Sequence, residues 1–559
     1  MRSKRSRCFT PSNFTRGRAV YAWRKPMALG LLLCQILMPA TTTFANQPKA
    51  FANEPKALNL GNTGEPQTLD PHRYNLRLEE TLLNDLFLGL TTFNAKGEIV
   101  PGAAESWTHS ADGLIWTFNL REDLRWSDGT PLTANDFVYS FRRLLNPKTA
   151  ASLAYFLYMI ENAAQVNQGA MPVESLGITA VDTQRLQIKL AAPYPYFLER
   201  LLYPVAFPVP KHVIEREGDS WIKPQHWVSN GPYALKTWQP QAYVEMTANP
   251  HFFTNVAIKT VRYHPLASEQ SGYNRYRNGE LDAIPSVPTS ELQTLKTASN
   301  ETANTALRLS PLLSSMYLVF NVQEPPFADL RVRKALSMAV DQNILTTKVM
   351  RSGDRPSYTF APSLISNYQP ATLDHKGIAL SERQAMAKQL LAQAGFTKTN
   401  PLTITLRHVS GIEGKKINLA IAGMWRSIGV KTTLHQAELK AHFTDLRQGK
   451  FSVAWAGWIG ENNAEHYLSL LQSDIGSVNY GRYQSSEFDA LMRGAQVQAD
   501  LSKRNDLLSA AANVAVQDYP VVPLYNLSVR RLVSPQLNGW EDNLRDMHQV
   551  RYLSWEEAR

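Results

Sequence analysis

Cysteine is almost missing from this chain. Of 559 residues only Cys8 and Cys34 carry a thiol, and both lie among the first 45. Past that segment the sequence excludes a disulfide framework, a thiol nucleophile and a cysteine-bound metal. It also offers an oxidising compartment no thiol to damage. Long apolar runs are scarce: Met27 to Met38 is about 12 residues, against the roughly 20 that span a bilayer, and no later stretch approaches that length. Acidic residues are absent from the first 45 positions, where eight basic ones stand (Arg2, Lys4, Arg5, Arg7, Arg16, Arg18, Arg24, Lys25).

Basic flank, short apolar run and the small-x-small triplet Thr43-Phe44-Ala45 together read as an export signal over residues 1–45. Its removal takes the net charge from +10 to +2, so the basic balance is mostly targeting and nucleic-acid binding loses its compositional basis. A lipid anchor at Cys34 is not expected, because Leu33 stands where a small residue is required. Residues 44–50 (FANQPKA) recur as 51–57 (FANEPKA), which predicts a flexible mature start over 46–57 and a second cleavage point at Ala52. A soluble, exported protein is expected.

Enzyme signatures are lacking too. There is no G-x-S-x-G, H-E-x-x-H or G-x-G-x-x-G, and Gly411-Ile412-Glu413-Gly414-Lys415-Lys416 lacks the spacing and hydroxyl of a phosphate loop. Histidines are scattered, with His435 and His442 seven apart. A Ser/His/Asp triad leaves no local signature, since its members need not be neighbours, and a secreted hydrolase stays open as a reading from another class. No metal or cofactor is expected.

What is present is a globular chain with 44% hydrophobic residues, long enough for two or three domains. Ile115 to Leu120 alternates as a strand, Ser127 to Pro131 is a turn cluster, and Thr133 is an N-cap for a helix carrying Phe137, Val138 and Phe141. Alternation returns at Leu186, Ile188, Leu190 and at Leu402, Ile404, Leu406. Ser381 with Gln384 predicts a capping box, a helix with Met386, Leu390 and Ala394 on one side, and an end at Gly395. A second helix is predicted from Leu330 to Leu345. Strands and helices without strict βαβ order imply mixed α/β domains.

Six blocks carry a resemblance: Glu65–His72, Pro101–Arg143, Val228–Tyr233, Pro325–Leu336, Phe451–Trp458 and Val522–Tyr525. Their order and spacing, from about Leu58 to Trp555, resemble the periplasmic oligopeptide-binding proteins of ABC importers (solute-binding protein family 5, peptide/nickel class). The resemblance implies a three-domain, periplasmic-binding-protein-like fold (type II, cluster C), a clam with mixed α/β lobes. Domain I would comprise 58–106, 225–308 and 518–559, domain II 107–224, and domain III 309–517, with ligand between I and III. Implied partners are a peptide and an inner-membrane permease with its ATPase subunits, the binding protein itself being a monomer; nucleic acid is not among them.

Resemblance also locates a site. In the proteins it resembles, an A-G-W run leads within three residues to an aspartate that pairs with the peptide's α-ammonium. Here Ala456-Gly457-Trp458-Ile459-Gly460 leads to Glu461, one methylene longer, with Trp458 and Ile459 beside it. Trp455 stands where many relatives carry an arginine for the peptide carboxylate, exchanging a bidentate partner for a flat surface. Arg447 is matched to another family arginine by allowing one deletion, and His408 falls where relatives show tyrosine. Asn230-Gly231 reads as a hinge or backbone-contact loop, or as an ordinary turn. Tyr317 reads as a strand tyrosine against the peptide backbone, or as core. Tyr525 reads as a pocket wall; Trp126, Asp128 and Gly129 read as architecture. Capture of oligopeptides is the leading reading. A non-peptide solute (a modified amino-acid conjugate, a sugar-acid derivative, a chelated metal or haem) in the same fold is its rival, which Trp455 favours.

Overall fold

The computed structural model describes residues 56–301 and 306–556. The export signal expected over 1–45, both cysteines, and all but Lys56 and Ala57 of the stretch 46–57 lie outside the described residues. Seven strands form the first sheet, in the order Leu307–Pro311, Ser528–Val533, Ala283–Ile284, Leu58–Asn62, Thr260–Pro265, Tyr243–Ala248, Tyr233–Gln239. Leu58–Asn62 runs parallel to Thr260–Pro265, with Leu60 opposite Tyr263. Helix α1 (Arg77–Leu86) is tied to this sheet through Asp85, whose carboxylate accepts the Tyr263 hydroxyl at 2.6 Å.

A second sheet of four antiparallel strands follows the order Ala104–His109, Ile115–Leu120, Arg185–Lys189, Ile178–Ala180. Trp116, Phe118 and Leu120 are buried, as strict alternation demands. Helix α2 (Ala134–Leu145) begins at Thr133, where the backbone N–H donates to the Asp136 carboxylate at 2.8 Å. Its apolar stripe of Phe137, Val138 and Phe141 enters the core that the first two sheets share. Trp126, fully buried, closes the preceding turn, with Gly129 at φ +86°.

The third sheet has six strands in the order Arg355–Pro356, Val521–Asn526, Ser314–Phe320, Val453–Ile459, Thr403–Val409, Lys431–Ala437. Successive residues of Ser314–Phe320 enter different cores: Tyr317 and Val319 one, Met316, Leu318 and Phe320 the other. This sheet is covered on both faces, which is why Val521 to Tyr525 reads as a continuous apolar run before the buried Asn526. Sheet membership moves the expected divisions. Leu307–Pro311 belongs to the first sheet and Val521–Asn526 to the third, so the chain crosses after Pro311 and again between Asn526 and Ser528.

Two helices differ from expectation. Helix α3 (Leu380–Gln393) starts one residue before Ser381, capped by Ala379 without a side-chain hydrogen bond. Its most buried face carries Arg383, Ala387 and Leu391, with Met386, Leu390 and Ala394 packed alongside. The rotation accommodates Arg383, whose Nη1 donates to the Val340 carbonyl at 2.8 Å. The helix from Leu330 ends at Ala339. Val340 is extended, and the Asp341 side chain accepts from Ile344 N to cap a new turn. Asp341 is thus an N-cap inside what the apolar spacing alone reads as one helix.

Candidate functional site: a charged cleft between the sheets

A cavity of about 340 Å³ lies between three parts of the chain: α1 with the C-terminal segment, the segment 199–203, and the end of strand Val453–Ile459. Among its lining residues are Glu80, Glu199, Tyr203, Ile459, Glu461 and Arg545. Ile459, the last residue of its strand and still paired with Ser314, is exposed and lines this space.

Glu461 sits just past that strand. Gly460 donates to the Leu313 carbonyl at 3.0 Å, and a Cβ on Gly460 would stand 2.6 Å from the Tyr467 ring, so the turn passes only as glycine. The Glu461 backbone N–H donates to His466 Nδ1 at 3.1 Å. Burial lowers the His466 pKa against the pull of Glu461, which keeps that nitrogen an acceptor. Further along, Asn462 and Ser366 join in two hydrogen bonds of 2.8 and 3.1 Å.

Glu461 is 5% exposed, and the two oxygens of its carboxylate differ in role. Oε1 accepts Arg200 Nη1 at 2.6 Å and the Tyr203 hydroxyl at 3.1 Å. Oε2 is buried without a hydrogen-bond partner. Burial would lower the Arg200 guanidinium, but Glu461 and the Tyr194 hydroxyl outweigh it and hold it above the usual arginine range. Burial also raises the Tyr203 phenol, helped by the charges of Glu461 and Glu80, so it remains a donor. On the opposite wall, Arg545 pairs with Glu199, donates to the Gly97 carbonyl at 2.9 Å, and accepts Arg77 at its own carbonyl. No group of three or more His, Cys, Asp and Glu side chains among the described residues can hold a metal ion.

Residues 98–477 match the family described as bacterial extracellular solute-binding proteins, family 5. The chain is 36% identical to the periplasmic oligopeptide-binding protein OppA of Salmonella typhimurium over 525 residues, 92% of this chain and 96% of that one. It is 35% identical to the probable deoxycholate-binding periplasmic protein YgiS of Escherichia coli, over 90% of this chain and 92% of that one. Among solved structures it is similar to the unliganded open form of the periplasmic murein tripeptide-binding protein MppA. The TM-score is 0.81 at 34% identity, over 90% of this chain and 98% of that one.

This chain is a family 5 solute-binding protein.

Against that family frame, the ten residues singled out in the sequence divide sharply. Ile459 and Glu461 line the cavity; the others lie elsewhere. Trp458 packs on the core beneath, edge-on to His466 at 5.6 Å. Trp455 points to the opposite face of its strand and packs on the helix-covered core, its carbonyl accepting His442 Nε2 at 2.9 Å. The exchange of arginine for Trp455 therefore adds no aromatic wall to this cavity. Tyr317 is core, perpendicular to Phe360 at 5.0 Å, and Tyr525 is buried in the other core of the same sheet. His408 is buried with Nδ1 2.9 Å from the Val409 carbonyl. Arg447 is exposed at the last turn of its helix. Asn230 and Gly231 clamp the end of α1: Asn230 makes two hydrogen bonds to the backbone of Leu88, at 2.8 and 3.1 Å, and Gly231 donates to the Leu86 carbonyl at 3.0 Å.

Sequence reading missed Arg200, Tyr203, Glu80, Glu199 and Arg545. Glu199 and Arg200 sit in the apolar stretch F-L-E-R-L-L-Y, where two adjacent opposite charges look like a solvated pair. Their partners are 346 and 261 residues away, a distance at which no local pattern operates.

Proposed function

We propose that this protein is the periplasmic substrate-binding component of an ABC importer, capturing oligopeptides in the cleft and delivering them to a membrane permease. The observation that carries this is the buried, unpartnered Oε2 of Glu461 at the cavity wall. A buried carboxylate oxygen is costly without a partner, and a peptide's α-ammonium is the partner its geometry suits. Main-chain hydrogen bonds and bridging water would hold the rest of the peptide without demanding a side-chain sequence. Relatives named for oligopeptides and for murein peptides support the reading. Domains I and II, sharing one core, would form one lobe and the third sheet with its helices the other. The segment 1–45 would direct export and be removed, and the protein would act as a monomer.

Exchanging Glu461→Gln tests it. Binding of free-amine tripeptides, followed by calorimetry, is expected to fall by more than about 100-fold, the consequence of breaking a buried ion pair. N-acetylated tripeptides should change little. Equal losses for both would end the assignment of Glu461 to the amine.

A second reading rests on the Arg200 contact. Because Glu461 is already neutralised within the chain, the same cleft suits a non-peptide solute, and one relative is named for deoxycholate. Mass spectrometry of what co-purifies separates the two: a series fragmenting into amino-acid residues supports peptides, one discrete other mass the alternative.

A further inference from the structure

The acids and bases around the cavity are equal in number, but not all of them are directly paired. Glu461 is matched by Arg200, and Glu199 by Arg545. Arg77 donates to the carbonyls of Arg545 and Asp546, the latter at 3.2 Å. Lys96 and Glu98 are exposed at the rim, where Glu98 accepts Asn94 Nδ2 at 2.8 Å. Glu80 is left. It projects from α1 to line the cavity, partly buried, and among the described residues no hydrogen bond or ion pair reaches its carboxylate. Desolvation raises its pKa, opposed by Arg77 and Arg545.

An ammonium that docks on Glu461 Oε2 therefore meets an acceptor atom but no net negative charge, because Arg200 has already balanced that carboxylate. A cation taken from water into such a site needs a counter-charge close by. Glu80 is near enough for its charge to act on the Tyr203 phenol, the group that donates to Glu461 Oε1. We propose that Glu80 is the second carboxylate of the amine site: Glu461 offers the buried acceptor atom, and Glu80, which lines the same cavity from α1, supplies the charge, the docked ammonium itself favouring its ionised form. The ligand class is a solute with a protonated primary amine at its anchored end. Since the two acids belong to different elements lining the cleft, the same ammonium would draw those elements together.

This rests on the peptide-capture reading, and the experiment separates their failures. A tripeptide pool built from Ala, Leu, Phe and Lys is offered to wild type, Glu80→Gln, Glu461→Gln and the double variant, in free-amine and N-acetylated forms, and retention is read by native mass spectrometry. Glu80→Gln is expected to weaken the free-amine pool at least about tenfold and the acetylated pool by much less, which also reports that the variant is folded. The double variant should lose less than the product of the two single losses, since both acids act on one ammonium. If Glu461→Gln discriminates against free amines and Glu80→Gln does not, the role of Glu80 is overturned while peptide capture stands. If wild type does not distinguish the two pools, or retains neither, both fall.

Discussion

Asn230 shows how a residue type that suits a binding loop can serve packing instead. Its side-chain amide donates to the Leu88 carbonyl and accepts the Leu88 N–H, satisfying both backbone groups of a residue that is 2% exposed. Removing the amide leaves both orphaned, so Asn230→Ala is expected to cost about 2–4 kcal/mol. Gly231 is stricter: a Cβ there would stand 2.4 Å from the Leu86 backbone, and Gly231→Ala should destabilise at least as much. Thermal melts check both. Unchanged melting with weakened ligand binding would restore the ligand-contact role that the Asn-Gly pair suggests in sequence. Glu461 is the contrasting residue: its A-G-W context is local, and it lines the cavity. Arg200 was not legible, because what defines it is a carboxylate 261 positions on.

Helix α1 gathers more function than its sequence suggests. One side presents Glu80 to the cavity, while its last turn buries Asp85 against Tyr263 and the backbone of Val550 at 2.9 Å. Burial pushes Asp85 up to about 7, despite those two donors. An unfolded chain ionises aspartate near pH 3.9. The folded value is raised, so the contribution is complete below about pH 4 and is lost as pH rises toward 7. Relative to Asp85→Asn, the wild type is expected to lose on the order of a few kcal/mol of stability between pH 4 and 8. Urea denaturation at several pH values reads that difference; a pH-independent difference would mean Asp85 is ionised in the fold throughout. Other elements follow local signals more closely. Strand Ile115–Leu120 and the start of α2 at Thr133 lie where alternation and capping place them. Helix α3 begins at an uncapped Ala379 because tertiary packing of Arg383, not the Ser381 signal, sets its register.

Across the whole molecule, the short helix Phe197–Arg200 and its flanks act as the joint. Phe197 is anchored in the core shared by the first two sheets. Glu199 reaches the C-terminal segment and Arg200 reaches Glu461 beyond the third sheet. Nearby, the Tyr196 hydroxyl meets Asn505 Oδ1 at 3.1 Å. Exchanging Arg200→Gln leaves Glu461 buried without its counter-ion, a state costing about 3–5 kcal/mol. Opening the cleft hydrates that charge and relieves the cost. Small-angle scattering of ligand-free protein should accordingly show a larger radius of gyration for Arg200→Gln than for wild type. Identical radii would show that this ion pair does not restrain the lobes.

Sequence by itself determined what depends on local spacing: the alternation of Ile115–Leu120, the cap at Thr133, the ordered family blocks, and the carboxylate at Glu461. These are encoded by side-chain period, capping chemistry and motif order, all carried within a few dozen residues. Tertiary structure alone decided which acids are already neutralised. Glu461, Glu199 and Glu80 are the same residue type in one cavity. One is paired with Arg200, one with Arg545, and the third makes no direct ion pair among the described residues, with Arg77 and Arg545 acting on it only from a distance. Electrostatic partnership depends on distance through space, and folding sets that distance between segments hundreds of residues apart.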